Sequence, residues 1–208
     1  MAIIKSGASS DQLTIDATSK ASRNTLYDTT GRSVANQSKP TFYASNTFTP
    51  AATPTDLVTL YGSASKTVRV VSFRITTTNT AAGSQQFFLI KRSAVNTTGT
   101  FVAGNAVPAD STDVATATVG HYTANPGALG TSAGNLNIMR VASPAAIPAS
   151  FAGVVTDAGF DMLPAVPQAI LDKMITLNGN TQGVVLNFNS VALVAGQTHA
   201  YQVIWTEE

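Results

Sequence analysis

The chain has 208 residues, a formal net charge of +1 and no cysteine. Only 11% of its residues are charged, against about 25% in an ordinary soluble domain, and 44% are hydrophobic. A chain of this length can bury a sizeable core as one large domain, with or without an extended segment. The absence of cysteine excludes disulfides, zinc–thiolate sites and thiol nucleophiles.

The pattern of charge and hydropathy excludes two classes of partner. No cluster of basic residues is longer than the pair Lys91-Arg92, so we predict no nucleic-acid partner. No apolar run approaches the ~20 residues of a transmembrane helix, and "MAIIKSGASS" lacks the apolar core of a signal peptide. We therefore predict no membrane partner and folding in a cytoplasm. The neutral polar composition favours dense assembly, because like charges do not hold copies apart.

Residues 1–50 differ from the rest of the chain, because their apolar residues form short clusters between Ser, Thr, Gly and Asn, without a helical period. We predict an extended N-terminal arm over residues 1–50 that mediates assembly by binding a neighbouring subunit. The alternative is a set of edge strands of the same domain. Under the first interpretation, the contacts are made by the apolar residues of the arm: Ile3, Ile4, Leu13, Ile15, Leu26, Tyr27, Phe42 and Tyr43.

Strand patterns follow the proline-containing segment "FTPAATPTD", which we interpret as a linker. In "KTVRVVSFRITTT" the apolar residues change phase after Val70, which predicts a β-bulge. "QQFFLIKRS" is apolar on both faces and predicts a central strand. Residues 81–83, "AAG", lie between these two patterns and predict a hairpin connection.

Strand patterns continue in the second half of the chain. Asn178-Gly179 is a strong hairpin signal, and the strand after it alternates, with Val184, Leu186 and Phe188 on one face. The only candidate for a helix, residues 162–174, is interrupted by two prolines. We therefore predict an all-β fold, with an antiparallel β-sandwich or jelly-roll-like body over residues 56–208 and an extended N-terminal arm.

Residues with catalytic or metal-binding chemistry are scarce. His121 and His199 are the only imidazoles, and no G-x-S-x-G motif provides a nucleophile. The acidic pairs in "DSTD" and "DAGFD" lack the ligand spacing of a calcium loop. We predict that the protein is not an enzyme and has no catalytic residue, metal site or cofactor.

The stretch "HYTANPGALGTSAGNLNIMR" is rich in turn-forming residues. Asn125-Pro126-Gly127 has the chemistry of a turn, and residues 122–134 are too many for a simple hairpin. We interpret the stretch as architecture rather than as a reactive site. It is predicted to contact a partner subunit through Tyr122, Asn125 and Pro126.

Several motifs, taken in order, resemble a class of tailed-bacteriophage virion proteins. They are "IKSGASSDQLTIDATSKASRNTLYDTTG", "VRVVSFRITTT", "FFLIKRS", "AVPADSTD", "YTANPGALGT" and the final "VIWTEE". The resemblance covers most of the chain and is weaker after Gly134. It implies a non-enzymatic structural component of the virion, with a β-sandwich body and an N-terminal arm, assembled in the cytoplasm of the host bacterium.

Three functions remain open at this point. The first is a capsid decoration (cement) protein that binds the shell through its arm, with the major capsid protein as partner. The second is a tail, baseplate or fibre-adaptor protein that binds other tail proteins. In both cases the resemblance implies a homo-oligomer such as a trimer. The third is a carbohydrate-binding host-attachment module, for which Tyr43, Tyr61, Tyr122 and Trp205 are the candidate stacking residues, although we interpret Trp205 as a core residue.

Overall fold

The computed structural model describes residues 13–15, 22–24, 39–143, 160–161 and 175–208, and within them the side chains of 39–140 and 175–208. The chain forms two compact units, Met1–Lys39 and Pro40–Glu208. In the described part of the first unit, the short strands β1 (Leu13–Ile15) and β2 (Ser22–Asn24) pair in antiparallel fashion.

The second unit is built from strands, and its described residues contain no helix. The strands are β3 (Thr41–Phe48), β4 (Asp56–Tyr61), β5 (Val68–Thr78), β6 (Gly83–Arg92), β7 (Thr100–Ala103), β8 (Val107–Pro108), β9 (Thr118–Ala124), β10 (Ser132–Ser143), β11 (Phe160–Asp161), β12 (Thr176–Leu177), β13 (Gly183–Asn187) and β14 (Thr198–Glu207).

These strands form two antiparallel sheets. The six-stranded sheet has the order β10-β6-β13-β4-β9-β7. The other sheet has the order β11-β5-β14-β3-β8, and β12 also pairs with β5. The two sheets pack face to face, so the predicted all-β sandwich is confirmed.

The core lies between the sheets and is filled by alternate residues of the central strands, because successive side chains of a strand point to opposite faces. Phe42, Phe73 and Trp205 contribute from one sheet, and Phe87 and Leu186 from the other. All five are fully buried. Phe42 stacks on Trp205 with 5.7 Å between ring centroids, and such aromatic pairs stabilise a core beyond the area that they bury.

Three local predictions are confirmed. Strand β6 is central, because β10 and β13 flank it. Val184, Leu186 and Phe188 are all buried in the core. The phase change in β5 is a bulge: Ile204 pairs with Ser72 and Trp205 with Val70, which leaves Val71 as the extra residue. Val71 is 36% exposed, so it lies outside the core.

The predicted boundary of the arm is wrong. Residues 41–48 form β3, an interior strand held between β14 and β8. Phe42, which we expected to bind a partner, is fully buried in the core of its own body. The body therefore begins at Pro40, in agreement with the division of the chain into two units.

Two predicted hairpins are also wrong. The predicted turn at residues 81–83 lies in the connection from β5 to β6, and the Asn178-Gly179 turn joins β12 to β13, but each pair of strands lies in different sheets. Gly179 has a φ of +84°, whereas Asn178 does not have the positive φ that a type I′ turn requires. Both connections are therefore arches that carry the chain from one sheet to the other.

Candidate functional site

Two long connections cross the six-stranded sheet side by side. Residues 93–99 join β6 to β7 and residues 125–131 join β9 to β10, so both must span the positions of β13 and β4. They bond to each other: Thr97 and Ala128 form a bridge, and Ser93 N donates to Thr131 O at 2.9 Å. We call these two segments the crossing pair.

Glycine allows the two segments of the crossing pair to approach each other closely. A Cβ on Gly130 would collide with the carbonyl oxygen of Ala94, and a Cβ on Gly127 would collide with the hydroxyl of Thr98. Gly130 is thus required by backbone packing, and Gly127 by its contact with the side chain of Thr98.

A buried ion pair anchors the crossing pair. Arg92 donates from Nε and Nη2 to the two carboxylate oxygens of Asp56, each at 2.7 Å. The side chains are 4% and 0% exposed. Asn96 and Asn187 donate to the same carboxylate at 2.7 and 2.6 Å, and Asn96 Oδ1 accepts from Gly130 N at 2.8 Å. The carboxylate therefore ties β4, β6, β13 and both crossing segments together.

The predicted loop contacts lie within the fold of their own chain. Tyr122 is buried in β9 and packs on Phe101, with 5.2 Å between ring centroids. Asn125 accepts from Thr55 N at 3.0 Å and donates to Thr53 O at 2.9 Å. Pro126 is buried. Tyr122 and Pro126 are therefore too buried to bind a partner, whereas the predicted partner contact of half-exposed Asn125 stays a prediction.

The predicted arm residues have different positions in the structure. Tyr43 is 41% exposed on β3. Leu13 and Ile15 stand two residues apart in β1, opposite Asn24 and Ser22 of β2. The other predicted arm contacts lie outside the described residues: Ile3, Ile4, Leu26 and Tyr27.

Both histidines lie in the interior of the sandwich. His199 Nδ1 is 2.9 Å from the hydroxyl of Thr77, and Phe48 packs against the rings of both histidines. Burial lowers the pKa of His121, and it lowers the pKa of His199 to about 4. Within the described part of the chain, no group of three or more His, Cys, Asp or Glu side chains could hold a metal ion.

A second buried carboxylate closes the end of the core. Glu207 is fully buried and accepts from Trp205 Nε1 at 3.0 Å and from the backbone amides of Thr116 and Ala117, each at 3.0 Å to Oε1. Burial alone would raise the pKa of Glu207. The hydrogen bonds lower this pKa by a larger amount, so it lies below its usual value. Trp205 is fully buried, which confirms our interpretation of it as a core residue.

The outer face of the sheet that contains β3, β14 and β5 carries mostly polar side chains. In its central row Ser45, Gln202 and Arg74 lie side by side across β3, β14 and β5, and the next row places Tyr43 beside Ile204. A separate open groove of about 630 Å³ is lined by small neutral residues of segments 49–53 and 192–198. The lining of this groove includes no titratable side chain.

Sequence reasoning missed the two buried carboxylates, Asp56 and Glu207. The available signal was an acidic residue at the end of an apolar strand in a chain with few charges. In the described residues, no helix is long and apolar enough to cross a membrane. A comparison of the chain with protein-family models, curated proteins and solved structures finds no match in any of the three.

Proposed function

We propose that this protein is a non-enzymatic structural component of a tailed-bacteriophage virion, and specifically a capsid decoration protein that binds the shell through its N-terminal segment. The ordered series of motifs described above carries the proposal. Three of those motifs supply residues that hold the body together: "FFLIKRS" contains Arg92, "YTANPGALGT" contains Asn125, and "VIWTEE" contains Trp205 and Glu207. These motifs therefore include residues that stabilise the fold of the body.

The N-terminal unit supports a role in binding. Its described part is a ladder of two three-residue strands, and an isolated two-stranded ladder is at best marginally stable in water. Leu13 and Ile15 are two residues apart and therefore share one face of β1. We expect this apolar face to pack on another virion protein, which is the major capsid protein under the decoration role.

The composition of the chain supports assembly in many copies. Only 11% of the residues are charged and the net charge is +1, so neighbouring copies on a shell repel each other little. Weak contacts repeated by symmetry then give a large total binding energy.

The carbohydrate-binding alternative has less support. A sugar ring stacks on an exposed aromatic face, but Tyr61, Tyr122 and Trp205 are buried. Of the four candidate stacking residues, Tyr43 alone is exposed. We therefore propose attachment to other virion proteins rather than to a carbohydrate.

Immunogold electron microscopy of intact particles tests the proposal. An antibody raised against the full chain should label the whole surface of the head. Label confined to the tail or to one vertex would replace the decoration role by the tail-adaptor role. Particles without label, despite the presence of the protein in lysates of infected cells, would overturn the virion proposal.

Cosedimentation with purified shells then tests the role of the N-terminal segment. The double variant Leu13→Ser, Ile15→Ser should lose binding to the shells. The matched control is Thr14→Ser, on the opposite face of β1, which should bind as the wild type does. If the double variant binds the shells as well as Thr14→Ser does, the N-terminal segment does not carry the binding.

A further inference from the structure

The two histidines of this chain meet at one phenylalanine between the two sheets. The ring centroid of Phe48 is 4.4 Å from that of His121 and 5.8 Å from that of His199. His121 belongs to β9 of the six-stranded sheet, whereas Phe48 and His199 belong to β3 and β14 of the other sheet. Their exposed fractions are 3%, 6% and 0%. We call these three residues the histidine cluster.

Each imidazole in the cluster has a buried nitrogen without a hydrogen-bond partner. In His199, Nδ1 lies beside the hydroxyl of Thr77, but Nε2 has no partner. In His121, the nitrogen without a partner is Nδ1. Both nitrogens of a protonated imidazole are donors, so protonation would leave a charged N–H group buried and unsatisfied.

No opposite charge compensates a proton in the cluster. Within the described residues, neither imidazole forms an ion pair, and Tyr201 is the one other titratable side chain that packs against the cluster. The other neighbouring elements present uncharged side chains: Val58 (β4), Thr77 (β5), Phe87 (β6), Val102 (β7) and Phe188, which follows β13. The folded state therefore requires both rings to be neutral.

We propose that the histidine cluster is an acid-opened clasp, in which protonation of the imidazoles releases Phe48 and separates the two sheets at this end of the sandwich. Burial lowers the pKa of both histidines, which agrees with this role. The inference does not depend on the proposed virion function, because it concerns the body alone.

The chain segments that adjoin Phe48 and His121 determine which part of the body opens. Phe48 leads directly into residues 49–55, where Thr53 O and Thr55 N bond the side chain of Asn125. His121 stands four residues before Asn125 on the other side of this contact. Loss of the cluster therefore loosens the attachment of the crossing pair. The opposite end of β14, with Trp205 and Glu207, lies roughly 20–26 Å away at about 3.3 Å per residue and keeps its own hydrogen bonds.

Hydrogen exchange measured by mass spectrometry on the full chain, at pH 7 and pH 5 and corrected for intrinsic rates, tests the clasp. With His199 at a folded pKa of about 4 and an open-state value near 6.5, the open population should rise by about 20-fold between these pH values. Peptides covering residues 46–58, 119–128 and 196–202 should lose protection by that factor. Peptides covering 66–72 and 203–208 should not. If the peptides of the cluster are as well protected at pH 5 as at pH 7, the proposal is overturned.

Two variants test whether the imidazoles cause the loss of protection in acid. The double variant His121→Phe, His199→Asn should show no acid response, because Asn keeps a polar atom near Thr77 but does not titrate. The control Glu207→Gln, which removes a titrating group at the far end of β14, should keep the response between pH 7 and 5. A double variant that opens in acid as the wild type does would overturn the proposal.

A measurement on the wild-type chain keeps the test decisive if the double variant does not fold. Proton NMR of the two imidazole side chains reports their protonation directly. The ring of His199 should remain neutral through pH 6, and the ring of His121 should titrate below its ordinary pKa. Each ring should become protonated only as the protected amides of the cluster begin to exchange. Titration of both rings near pH 6.5 in a fully protected protein would overturn the proposal.

Discussion

Removing the charge of Asp56 should be among the most destabilising single changes in the body. The variant Asp56→Asn keeps the size of the side chain but removes the carboxylate that accepts four hydrogen bonds, from Nε and Nη2 of Arg92, Asn96 and Asn187. The guanidinium of Arg92 remains, at 4% exposure, without an opposite charge. The NH2 group of the new amide also replaces one carboxylate oxygen, so its two N–H donors face donor groups of the neighbouring side chains.

The expected loss follows from the burial of the pair. Breaking a buried ion pair by removing one partner costs about 3–5 kcal/mol, because the remaining charge is left uncompensated. For a chain of 150–250 residues, about 1 kcal/mol changes the Tm by about 2–4 °C, so we expect a decrease of about 10 °C. The crossing pair should also lose protection from hydrogen exchange, because the carboxylate holds it through Asn96.

Denaturant unfolding, followed by the fluorescence of the single tryptophan, measures this loss. Trp205 is fully buried and reports on the core. The matched control is Glu208→Gln, which removes the partner of Arg69 in an ion pair whose side chains are 27% and 31% exposed. An exposed pair contributes about 0–1 kcal/mol, so this control should unfold nearly as the wild type does. A loss of less than 1 kcal/mol for Asp56→Asn would refute the reasoning.

Three further predictions concern the core, the second carboxylate and the boundary of the body. Trp205→Ala should lose about 3–5 kcal/mol in thermal unfolding followed by circular dichroism, because it removes a fully buried ring stacked on Phe42. The lowered pKa of Glu207 means that its charged form stabilises the fold above its ordinary pKa, near 4.5, and that this stabilisation is lost as the pH falls through the folded value. Glu207→Gln should therefore be less stable at pH 7 by about 2 kcal/mol and should lose less on acidification below pH 4.5 in denaturant titrations. A chain that begins at residue 40 should fold, whereas one that begins at residue 46 should not, because it lacks Phe42 and Ala44 of β3; circular dichroism distinguishes these outcomes.

The strands that were predicted correctly have strong patterns of their own. Val184, Leu186 and Phe188 alternate without interruption, and the phase change after Val70 marks the bulge in β5. These signals are local, because the period of side chains along a strand depends on the backbone of that strand alone. The fold class could therefore be predicted from the sequence.

Strand β3 was missed because its inward-facing side is weakly hydrophobic. Between Phe42 and Phe48 the buried side chain is Ala44, while Ser45, Asn46 and Thr47 are exposed. Such a segment is typical of an extended arm when its neighbours are unknown. The two predicted hairpins failed for a related reason, since a short turn has the same residues whether the next strand joins the same sheet or the facing one.

The contacts at the crossing pair required three-dimensional information. Asp56 and Asn187 are 131 residues apart, and both segments of the crossing pair must be placed before Arg92 acquires a partner. The sequence did indicate that residues 122–134 are architectural, because turn-forming residues outnumber reactive ones there. It could not indicate that they pack on their own chain rather than on a partner.

The edges of the described sheets constrain how this body can assemble. Four edge strands are short: β7 has four residues, and β8, β11 and β12 have two each. The fifth, β10, is long but carries two register shifts, at 132/134 and 135/137. Short edge strands and bulges are the devices by which β-proteins prevent pairing with strands of other molecules. Assembly by simple addition of strands to the body is therefore disfavoured, and the apolar residues of β1 or the outer sheet face that includes Tyr43 are the better candidates for a contact surface.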